Sequence, residues 1–330
     1  MDKTAKGVSA AIGSVFSTVT TAAAAWIVYS KLFINHDASL PPALGADREQ
    51  FGGGYAGMLH YYADRSGEGT PLLLLHSVNA AASAFEVRPI FERYRGQRPV
   101  YALELPGFGF SQRGDRPYTP RVFTNAIIGF LETQVDQPVD IVALSLSSEF
   151  AARAAMERGP NVRSLALISP TGLSKDAQER QPNEGLHKAL SFPLWSQAFF
   201  DLLATRVSIR RFLNMSFQGK PNERLVDYSY KTAHQPGARF APLAFVSGKL
   251  NSPDIRESIY EQLQHPVLVL YDEDPYTGFE ALPGLMERHP NWQAKRIVPT
   301  RGLPHFDQPE QTFQALDAFW NEPPSDESES

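Results

Sequence analysis

The sequence predicts an α/β fold built on a doubly wound, mostly parallel sheet. Short runs rich in apolar residues, of which Pro71–Leu75 is wholly apolar, alternate with helical segments through the first half of the chain, which is the pattern of strand–helix–strand units. Runs without polar residues suit strands that are buried on both faces of a parallel sheet. The alternation stops for a long helical stretch and then returns, so the sheet is predicted to carry an insertion late in its order.

The first half of the chain supplies most of the predicted sheet. After an early strand at Met58–Tyr62, four further runs are typical of buried strands. These runs are Pro71–Leu75, Pro99–Leu105, Val139–Leu144 and Val162–Ser169. The helices predicted between and after them are Phe85–Tyr94, Val122–Thr133 and Ser147–Arg158.

The insertion runs from about Lys175 to Glu261 and is mostly helical in character, with many aromatic residues. The strand pattern returns at Pro266–Tyr271 and near Ala294–Val298, before a final helix at about Glu310 to Phe319. An insertion at this point predicts a helical cap over the carboxyl edge of the strands, where such sheets bind ligands. The alternative is that its aromatic residues only extend the core.

These elements divide the chain into six parts. An apolar N-terminal segment and a linker come before the core, and the helical cap separates the two halves of the core. A last, acidic segment without apolar residues is expected to be a disordered tail. In chain order the parts are residues 1–34, 35–54, 55–174, 175–261, 262–322 and 323–330.

The composition excludes several classes of function. The chain has 330 residues, of which 42% are hydrophobic and 20% charged, as in globular proteins. Its formal net charge is -5 and it has no block rich in Lys and Arg, so no nucleic-acid partner is expected. The absence of cysteine excludes disulfides, thiol catalysis and zinc held by cysteine.

The N-terminal segment has no charged residue from Gly7 to Ser30, and Lys3 and Lys6 precede this stretch. About 20 residues can span a bilayer, although this stretch is only weakly apolar. Three interpretations stay open: a membrane anchor with the lysines on the cytoplasmic side, a signal peptide cleaved within Ala22–Ala25, and a helix packed on the protein's own surface. The expected location is accordingly membrane-associated or cytoplasmic, with membrane contact through residues 7–30.

Ser145 stands at the junction of a predicted strand and a predicted helix. A nucleophilic serine needs exposure at the tip of such a turn, with small residues two positions before and two after it. Ala143 and Ser147 meet this need. The amide of Leu146, at the start of the helix, is placed to help hold an oxyanion. The alternative is that Ser145 only caps the helix.

Together with its neighbours, this junction resembles the α/β-hydrolase superfamily in its capped, lipase- and esterase-like branch. The resemblance covers roughly Leu72 to Trp320 and implies a doubly wound sheet with a helical cap inserted before the strand that bears the catalytic acid. Five segments carry it, in the order that the family uses. They are the oxyanion loop Leu72–Val78, the turn Ala102–Ser111 with Glu104 in place of Asp, the elbow Ile141–Ser148, the acid strand Val267–Tyr276 and the histidine loop Gly302–Glu310.

The resemblance implies a catalytic triad. Ser145 would attack a carbonyl carbon, and His305 would take its proton and later pass it to the leaving group. Asp274 is the preferred acid that orients this histidine, with Asp272 as its rival. No metal or cofactor is implied. Two backbone amides would form the oxyanion hole, those of Val78 and Leu146.

The sequence departs from the family at places that matter for the chemistry. Ala143 and Ser147 replace the glycines that the family usually has around its nucleophile. The histidine loop has two alternative alignments. If Pro309 is aligned with the family's proline, His305 falls on a second, often non-catalytic histidine and Gly302 falls on the catalytic one.

The main functional hypothesis is hydrolysis of a small, apolar carboxylic ester through an acyl-enzyme intermediate. The aromatic residues of the cap and the apolar N-terminal segment favour a substrate of this kind. Two alternatives remain open. The first is a non-catalytic scaffold that binds an apolar ligand or a partner protein, and the second is an acyltransferase or C–C hydrolase that uses the same triad.

Overall fold

An eight-stranded sheet forms the centre of the computed structural model, which describes residues 21–175 and 181–321. Its strands are β1 (Asp47–Gly52), β2 (Met58–Asp64), β3 (Leu72–Leu75), β4 (Val100–Glu104), β5 (Val139–Leu144), β6 (Val162–Ile168), β7 (Val267–Tyr271) and β8 (Trp292–Arg296). They lie in the order β1-β2-β4-β3-β5-β6-β7-β8, and only β2 runs antiparallel to its neighbours. The predicted doubly wound, mostly parallel sheet is confirmed.

Helices cover both faces of this sheet. The described helices are α1 (21–33), α2 (Arg88–Tyr94), α3 (Pro120–Thr133), α4 (Ser147–Glu157), α5 (Glu184–Leu190), α6 (Ser196–Leu203), α7 (Arg206–Ser216), α8 (Glu223–Ala233), α9 (Phe240–Val246), α10 (Ile255–Ser258), α11 (Leu282–Arg288), α12 (Pro304–Asp307) and α13 (Pro309–Asn321). On one face α3 and α4 pack aromatic side chains such as Phe123 and Phe150 into the core. On the other face α2 and α13 contribute Phe91 and Leu316.

The central strands are buried on both faces, as their apolar sequences require. Every residue of β3 is buried, and its parallel register places Leu74 beside Ala102 on one side and Val142 on the other. Because β3, β5, β6 and β7 are parallel, their carboxyl ends share one edge of the sheet. The residues that follow β3, β5 and β7 are therefore brought close together there.

Part of the predicted linker is a strand, which corrects the division at residues 35–54. Residues Asp47–Gly52 form β1 and pair with Met58–Ala63 of β2. The strand lies at the edge of the sheet, and its sequence DREQFG is mostly exposed, with only Phe51 buried. An edge strand of this kind has no apolar run, so the periodicity of its sequence did not reveal it.

The insertion between β6 and β7 contains α5 to α10 within its described residues. Three of these helices begin at polar caps: Asn183, Thr205 and Asn222 each accept a hydrogen bond from an amide of the following turn. Phe200 and Tyr228 are buried, whereas Phe192 is 48% exposed. The aromatic residues of the insertion therefore serve partly as core and partly as surface.

The N-terminal helix α1 packs on the insertion. The indole Nε1 of Trp26 donates to the carbonyl oxygen of Ala198 at 2.7 Å, and the hydroxyl of Ser30 donates to Asp201 at 2.6 Å. Over the described residues this arrangement agrees with the third interpretation, a helix on the protein's own surface. None of the helices in residues 21–175 and 181–321 is both long and apolar enough to cross a bilayer.

Two predictions concern residues outside the described ranges. The stretch from Gly7 to residue 20, which would form most of an anchor, is one of them. The predicted acidic tail at 323–330 is the other. Membrane contact through residues 7–30 and the disorder of the tail stay predictions.

Candidate active site

A cavity of about 400 Å³ lies at the carboxyl edge of the parallel strands. Its floor is formed by residues that follow β3, β5 and β7, among them Val78, Ser145 and Asp274. Side chains of α6, α7 and α9 line its other walls, including Leu203 and Phe212. The cavity therefore lies where the sequence placed a ligand site, between the strands and the helical insertion.

Ser145 occupies the strained turn that a nucleophilic serine requires. Its φ of 52° lies in the left-handed region, which residues with a Cβ seldom adopt. The hydroxyl of Ser147 donates to the carbonyl oxygen of Leu144 at 2.8 Å and accepts from the Leu144 amide at 3.1 Å. Ser147 stands where the family usually has glycine, and its hydroxyl stabilises the turn through these two hydrogen bonds. No side chain caps α4, so the alternative role of Ser145 as a cap is not adopted.

The loop after β3 holds the amide of Val78 at the cavity. The Glu86 carboxylate accepts from the Ser77 amide at 2.9 Å and from the Asn79 side chain at 2.8 Å. Asn79 in turn accepts from the Ala81 amide at 2.7 Å, so its side chain braces the loop. In the described part of the chain, the backbone hydrogen bonds of turns and loops use neither the Val78 amide nor the Leu146 amide.

The two candidate acids differ in what they face. Asp272 accepts from Arg296 at 2.7 Å and from the Thr300 amide at 2.8 Å, and its side chain is 5% exposed. It does not line the cavity. Asp274 does, and the Tyr276 amide donates to its Oδ1 at 2.8 Å. The geometry therefore favours Asp274, as the sequence did.

His305 is not brought together with Ser145 and Asp274, which corrects its assignment as the base. The side chain is fully buried, and its Nε2 donates to the carbonyl oxygen of Glu86 at 2.7 Å. The short helix α12 directs the ring to the backbone of the segment before α2, and His305 itself is not among the described residues that line the cavity. Burial lowers the pKa of His305 to about 4, so the ring is a neutral, structural group at pH 7.

Gly302 occupies the place where the second alignment of the loop puts the catalytic histidine. It lines the cavity, and a Cβ built on it would lie 2.7 Å from Oδ2 of Asp274. Apart from the adjoining residues of the chain, the three heavy atoms nearest to that Cβ all belong to the Asp274 side chain. Its φ of 99° also favours glycine. The structure therefore agrees with the alignment on Pro309, and no imidazole is attached at the position beside Asp274.

The ionisable side chains of the cavity include three carboxyl groups, among a larger number of hydroxyl and amide side chains. Glu86, Glu149 and Asp274 line it, whereas no Lys, Arg or His is found among its described lining residues. Glu149 accepts hydrogen bonds from the Thr171 hydroxyl and, at 3.0 Å, from the Ser252 amide. Within residues 21–175 and 181–321, no group of three or more His, Asp or Glu side chains is placed to hold a metal ion.

Glu149 makes the stability of the protein depend on pH. Burial raises the pKa of Glu149 to about 7, from about 4.5 in an unfolded chain. The folded state therefore binds more protons between pH 4.5 and 7, and the free energy of unfolding falls as the pH rises through this window. We expect Glu149→Gln to make this fall shallower, since each unit of pKa difference is worth about 1.4 kcal/mol.

Urea denaturation of both proteins at pH 4.5, 5.5, 6.5 and 7.5 measures this effect. Burial also raises the pKa of Glu104 to about 7. Part of the dependence of the free energy of unfolding on pH therefore remains in the Glu149→Gln variant. Parallel pH profiles for the wild type and Glu149→Gln would contradict the prediction.

Glu104 occupies the family's aspartate position in the turn after β4, outside the residues that line the cavity. Its carboxylate accepts from the Phe110 amide and lies against Gly109, where a Cβ would come within 1.9 Å of it. The glycine, with a φ of 52°, thus makes room for the longer acid. The substitution of Asp by Glu affects the turn rather than the cavity.

Comparisons with known proteins agree on one fold. The family model described as the Alpha/beta hydrolase family matches residues 72–315. A curated relative, 2-hydroxymuconate semialdehyde hydrolase from Pseudomonas putida, is 26% identical over 263 residues, which cover 76% of this chain and 85% of that protein.

Two solved structures illustrate the likeness in three dimensions. A probable hydrolytic enzyme from Pseudomonas aeruginosa has a TM-score of 0.69 and 16% identity, over 84% of this chain and 96% of that one. A meta-cleavage product hydrolase from Pseudomonas fluorescens has a TM-score of 0.62 and 18% identity, over 81% of this chain and 95% of that one. Because the sequence identities are only 16% and 18%, the structural similarity is evidence for a shared fold and for nothing more specific.

Proposed function

Because the chain belongs to the α/β-hydrolase family, we propose that it hydrolyses a small-molecule carbonyl compound with Ser145 as the nucleophile. The observation that carries this proposal is the backbone of Ser145, held at a φ of 52° where β5 ends at the cavity. Strain of this kind is retained where it serves a site. A serine that only linked a strand to a helix would need no left-handed conformation.

The oxyanion of the tetrahedral intermediate would be held by the amides of Val78 and Leu146. Both residues line the cavity beside Ser145. Leu146 also lies at the N-terminus of α4, where the helix dipole favours negative charge. Preorganised donors of this kind contribute about 3 kcal/mol each to the stabilisation of such a transition state.

The substrate is proposed to have an apolar part. Leu203, Ile209, Phe212, Leu213 and Phe245, all from the insertion, line the cavity opposite the strands. In this proposal the insertion acts as the predicted cap, and its apolar side chains bind the part of the substrate that does not react.

Two kinds of bond are candidates for cleavage. The ester of the main hypothesis fits the apolar walls, whereas the names of two relatives, 2-hydroxymuconate semialdehyde hydrolase and meta-cleavage product hydrolase, favour the C–C hydrolase alternative. In both reactions Ser145 attacks a carbonyl carbon. The C–C hydrolase is therefore the better supported of the two hypotheses, and product analysis with a p-nitrophenyl ester and with a 1,3-diketone separates them.

We expect Ser145→Ala to lower hydrolysis of the better substrate to the rate of buffer alone, because the attacking oxygen is removed. Steady-state rates and labelling by a fluorophosphonate probe measure this loss. Ser66→Ala, which changes an exposed serine outside the cavity, is the matched control and should behave as the wild type.

Two other outcomes would decide against the proposal. Turnover that persists in Ser145→Ala would show that another group carries the reaction. A wild type that binds apolar ligands in the cavity without turnover would favour the non-catalytic scaffold.

A further inference from the structure

One corner of the cavity is lined by polar side chains that the proposed reaction does not use. Glu149 comes from the first turn of α4, Thr171 from the segment after β6, and Ser252 from the segment after α9. Glu149 and Ser252 are buried, whereas Thr171 is half-buried. All three line the same cavity as Ser145. We refer to Glu149, Thr171 and Ser252 as the polar corner.

The chain makes a strained turn between β6 and Thr171. Ser169, the residue directly after β6, has a φ of 46°, and its amide donates to the carbonyl oxygen of Leu270 at 2.9 Å. In the part of the chain that the structure describes, only Ser145 and Ser169 combine a Cβ with a positive φ. Such conformations persist where the surroundings over-determine them, often at ligand sites. Each of the two turns leads from the end of a strand to the cavity.

Hydrogen bonds to Glu149 connect the three residues of the polar corner. Its Oε1 accepts from the Thr171 hydroxyl, and its Oε2 accepts from the Ser252 amide at 3.0 Å. A threonine hydroxyl has one hydrogen and two lone pairs, and here the hydrogen is used by the carboxylate. Within residues 21–175 and 181–321, the Thr171 hydroxyl oxygen accepts no hydrogen bond. The polar corner therefore offers the cavity hydrogen-bond acceptors, on Thr171 and on the ionised Glu149.

We propose that Thr171 and Glu149 form a subsite for a hydrogen-bond donor of the substrate, a hydroxyl or an N–H group. This inference rests on the proposed function and narrows its substrate class to a carbonyl compound that has both an apolar part and such a donor. A donor pairs with the unused lone pairs of the polar corner, whereas a carbonyl or ether oxygen there would face only acceptors. The polar corner sets which substrates bind and takes no part in bond cleavage at Ser145.

The protonation state of Glu149 controls the direction of its hydrogen bond with Thr171. Burial raises the pKa of Glu149 to about 7, although its hydrogen bonds and the positive charge of Arg153 act in the opposite direction. Above this pKa the carboxylate accepts from Thr171. Below it the proton lies on Oε1, because the Ser252 amide donates to Oε2, and the carboxyl group then donates to the Thr171 oxygen. The hydrogen of the Thr171 hydroxyl is then available to a ligand.

Other ionisable groups lie close to the polar corner. The Tyr260 hydroxyl donates to the carbonyl oxygen of Thr171 at 3.1 Å, and burial raises the pKa of Tyr260 well above its usual value, so this group stays neutral. The carboxyl groups of Glu86 and Asp274 line the same cavity. A variant that changes Glu149 and keeps both of them is therefore needed to assign an effect of pH to Glu149.

A matched alcohol and ketone, nonan-2-ol and nonan-2-one, test the subsite by equilibrium binding. The protein is the Ser145→Ala variant, so that the ketone cannot form an adduct with the serine. Displacement of the fluorescent apolar probe N-phenyl-1-naphthylamine at pH 8.5 gives the Kd of each ligand. We expect the alcohol to bind about 10-fold more tightly than the ketone, because only the alcohol can donate to the polar corner.

Two threonine variants, made in the same background, assign this preference to a residue. Thr171→Val keeps the shape of the side chain and removes the hydroxyl, so the two Kd values should become equal. Thr277→Val is the matched control, because Thr277 also lines the cavity but donates its hydroxyl to the carbonyl oxygen of Pro170. It should keep the preference for the alcohol.

The effect of pH tests the role of Glu149. At pH 5.5 the preference for the alcohol should largely disappear, because the protonated carboxyl group lets Thr171 donate to the ketone. Glu149→Gln should show the weak preference at both pH values, since its amide donates to Thr171 as the protonated carboxyl group does. A preference that depends on Thr171 but is the same at pH 5.5 and 8.5 would refute the role of Glu149.

Three results would overturn the subsite: equal Kd values for the two ligands at pH 8.5, a preference that Thr171→Val leaves unchanged, or no displacement of the probe by either ligand. They would leave the proposed function standing, because binding to Ser145→Ala does not depend on hydrolysis. Failure of the proposed function is recognised separately, by a wild type without turnover that depends on Ser145.

Discussion

Gly302→His is expected to raise hydrolysis of a neutral p-nitrophenyl ester by about 10²-fold or more, since a positioned general base contributes roughly 10²–10⁴-fold. The new side chain would start beside Oδ2 of Asp274, on the wall of the cavity that holds Ser145. An imidazole there would complete the order serine, histidine, aspartate. The expected gain in rate lies near the lower end of this range, because a φ of 99° at position 302 strains any residue with a Cβ.

The matched control is Gly302→Ala. It introduces the same Cβ, with the same contact to Asp274 and the same backbone strain, but no imidazole. Both variants are compared by kcat/KM for the neutral ester and by the rate of fluorophosphonate labelling, with circular dichroism to confirm folding. If the two variants fold and are equally slow, the position beside Asp274 is not the place from which a base serves Ser145.

Asp140→Ala is expected to lower the free energy of unfolding by about 3 kcal/mol or more, the usual cost of removing one partner from a buried ion pair. The Asp140 carboxylate is fully buried in β5. It accepts two hydrogen bonds from Arg163 at 2.7 Å, one from Ser164 at 2.5 Å, and one from Arg98. The Arg98 side chain, 13% exposed, would lose its counter-charge.

Glu157→Ala is the matched control for this prediction. Glu157 also pairs with an arginine, Arg121, but in a bridge whose side chains are 30% and 54% exposed. Its loss should cost less than about 1 kcal/mol, because solvent screens such pairs. Guanidinium denaturation at pH 7 measures both variants, and similar losses for the two would show that burial of Asp140 does not amplify its ion pairs.

The parallel core of the fold could be predicted from the sequence because its strands are rich in apolar residues. Leu72–Leu75 is wholly apolar and Val139–Leu144 is apolar except for Asp140, as expected of strands that are covered on both faces. The edge strand Asp47–Gly52 lacks that signature. It is stabilised by pairing with β2, which is a long-range contact that periodicity does not record.

The candidate site was predictable to the extent that it depends on local backbone. Ser145 follows β5 directly and Asp274 comes shortly after β7, so the ends of these buried strands determine where they lie. The histidine loop is different because it lies far along the chain from both strands. Its sequence allowed two alignments, and only the packing of His305 beneath the Glu86 carbonyl distinguishes them.

The sequence by itself determined that Ser145 lies at a strained turn of a doubly wound sheet, because apolar periodicity and small neighbours act over a few residues. Only the tertiary structure decided which residue faces Ser145 from the histidine loop. The reason is that the buried His305 ring donates a hydrogen bond to the carbonyl oxygen of Glu86, which lies 219 residues away in sequence. The same packing leaves Gly302 beside Asp274.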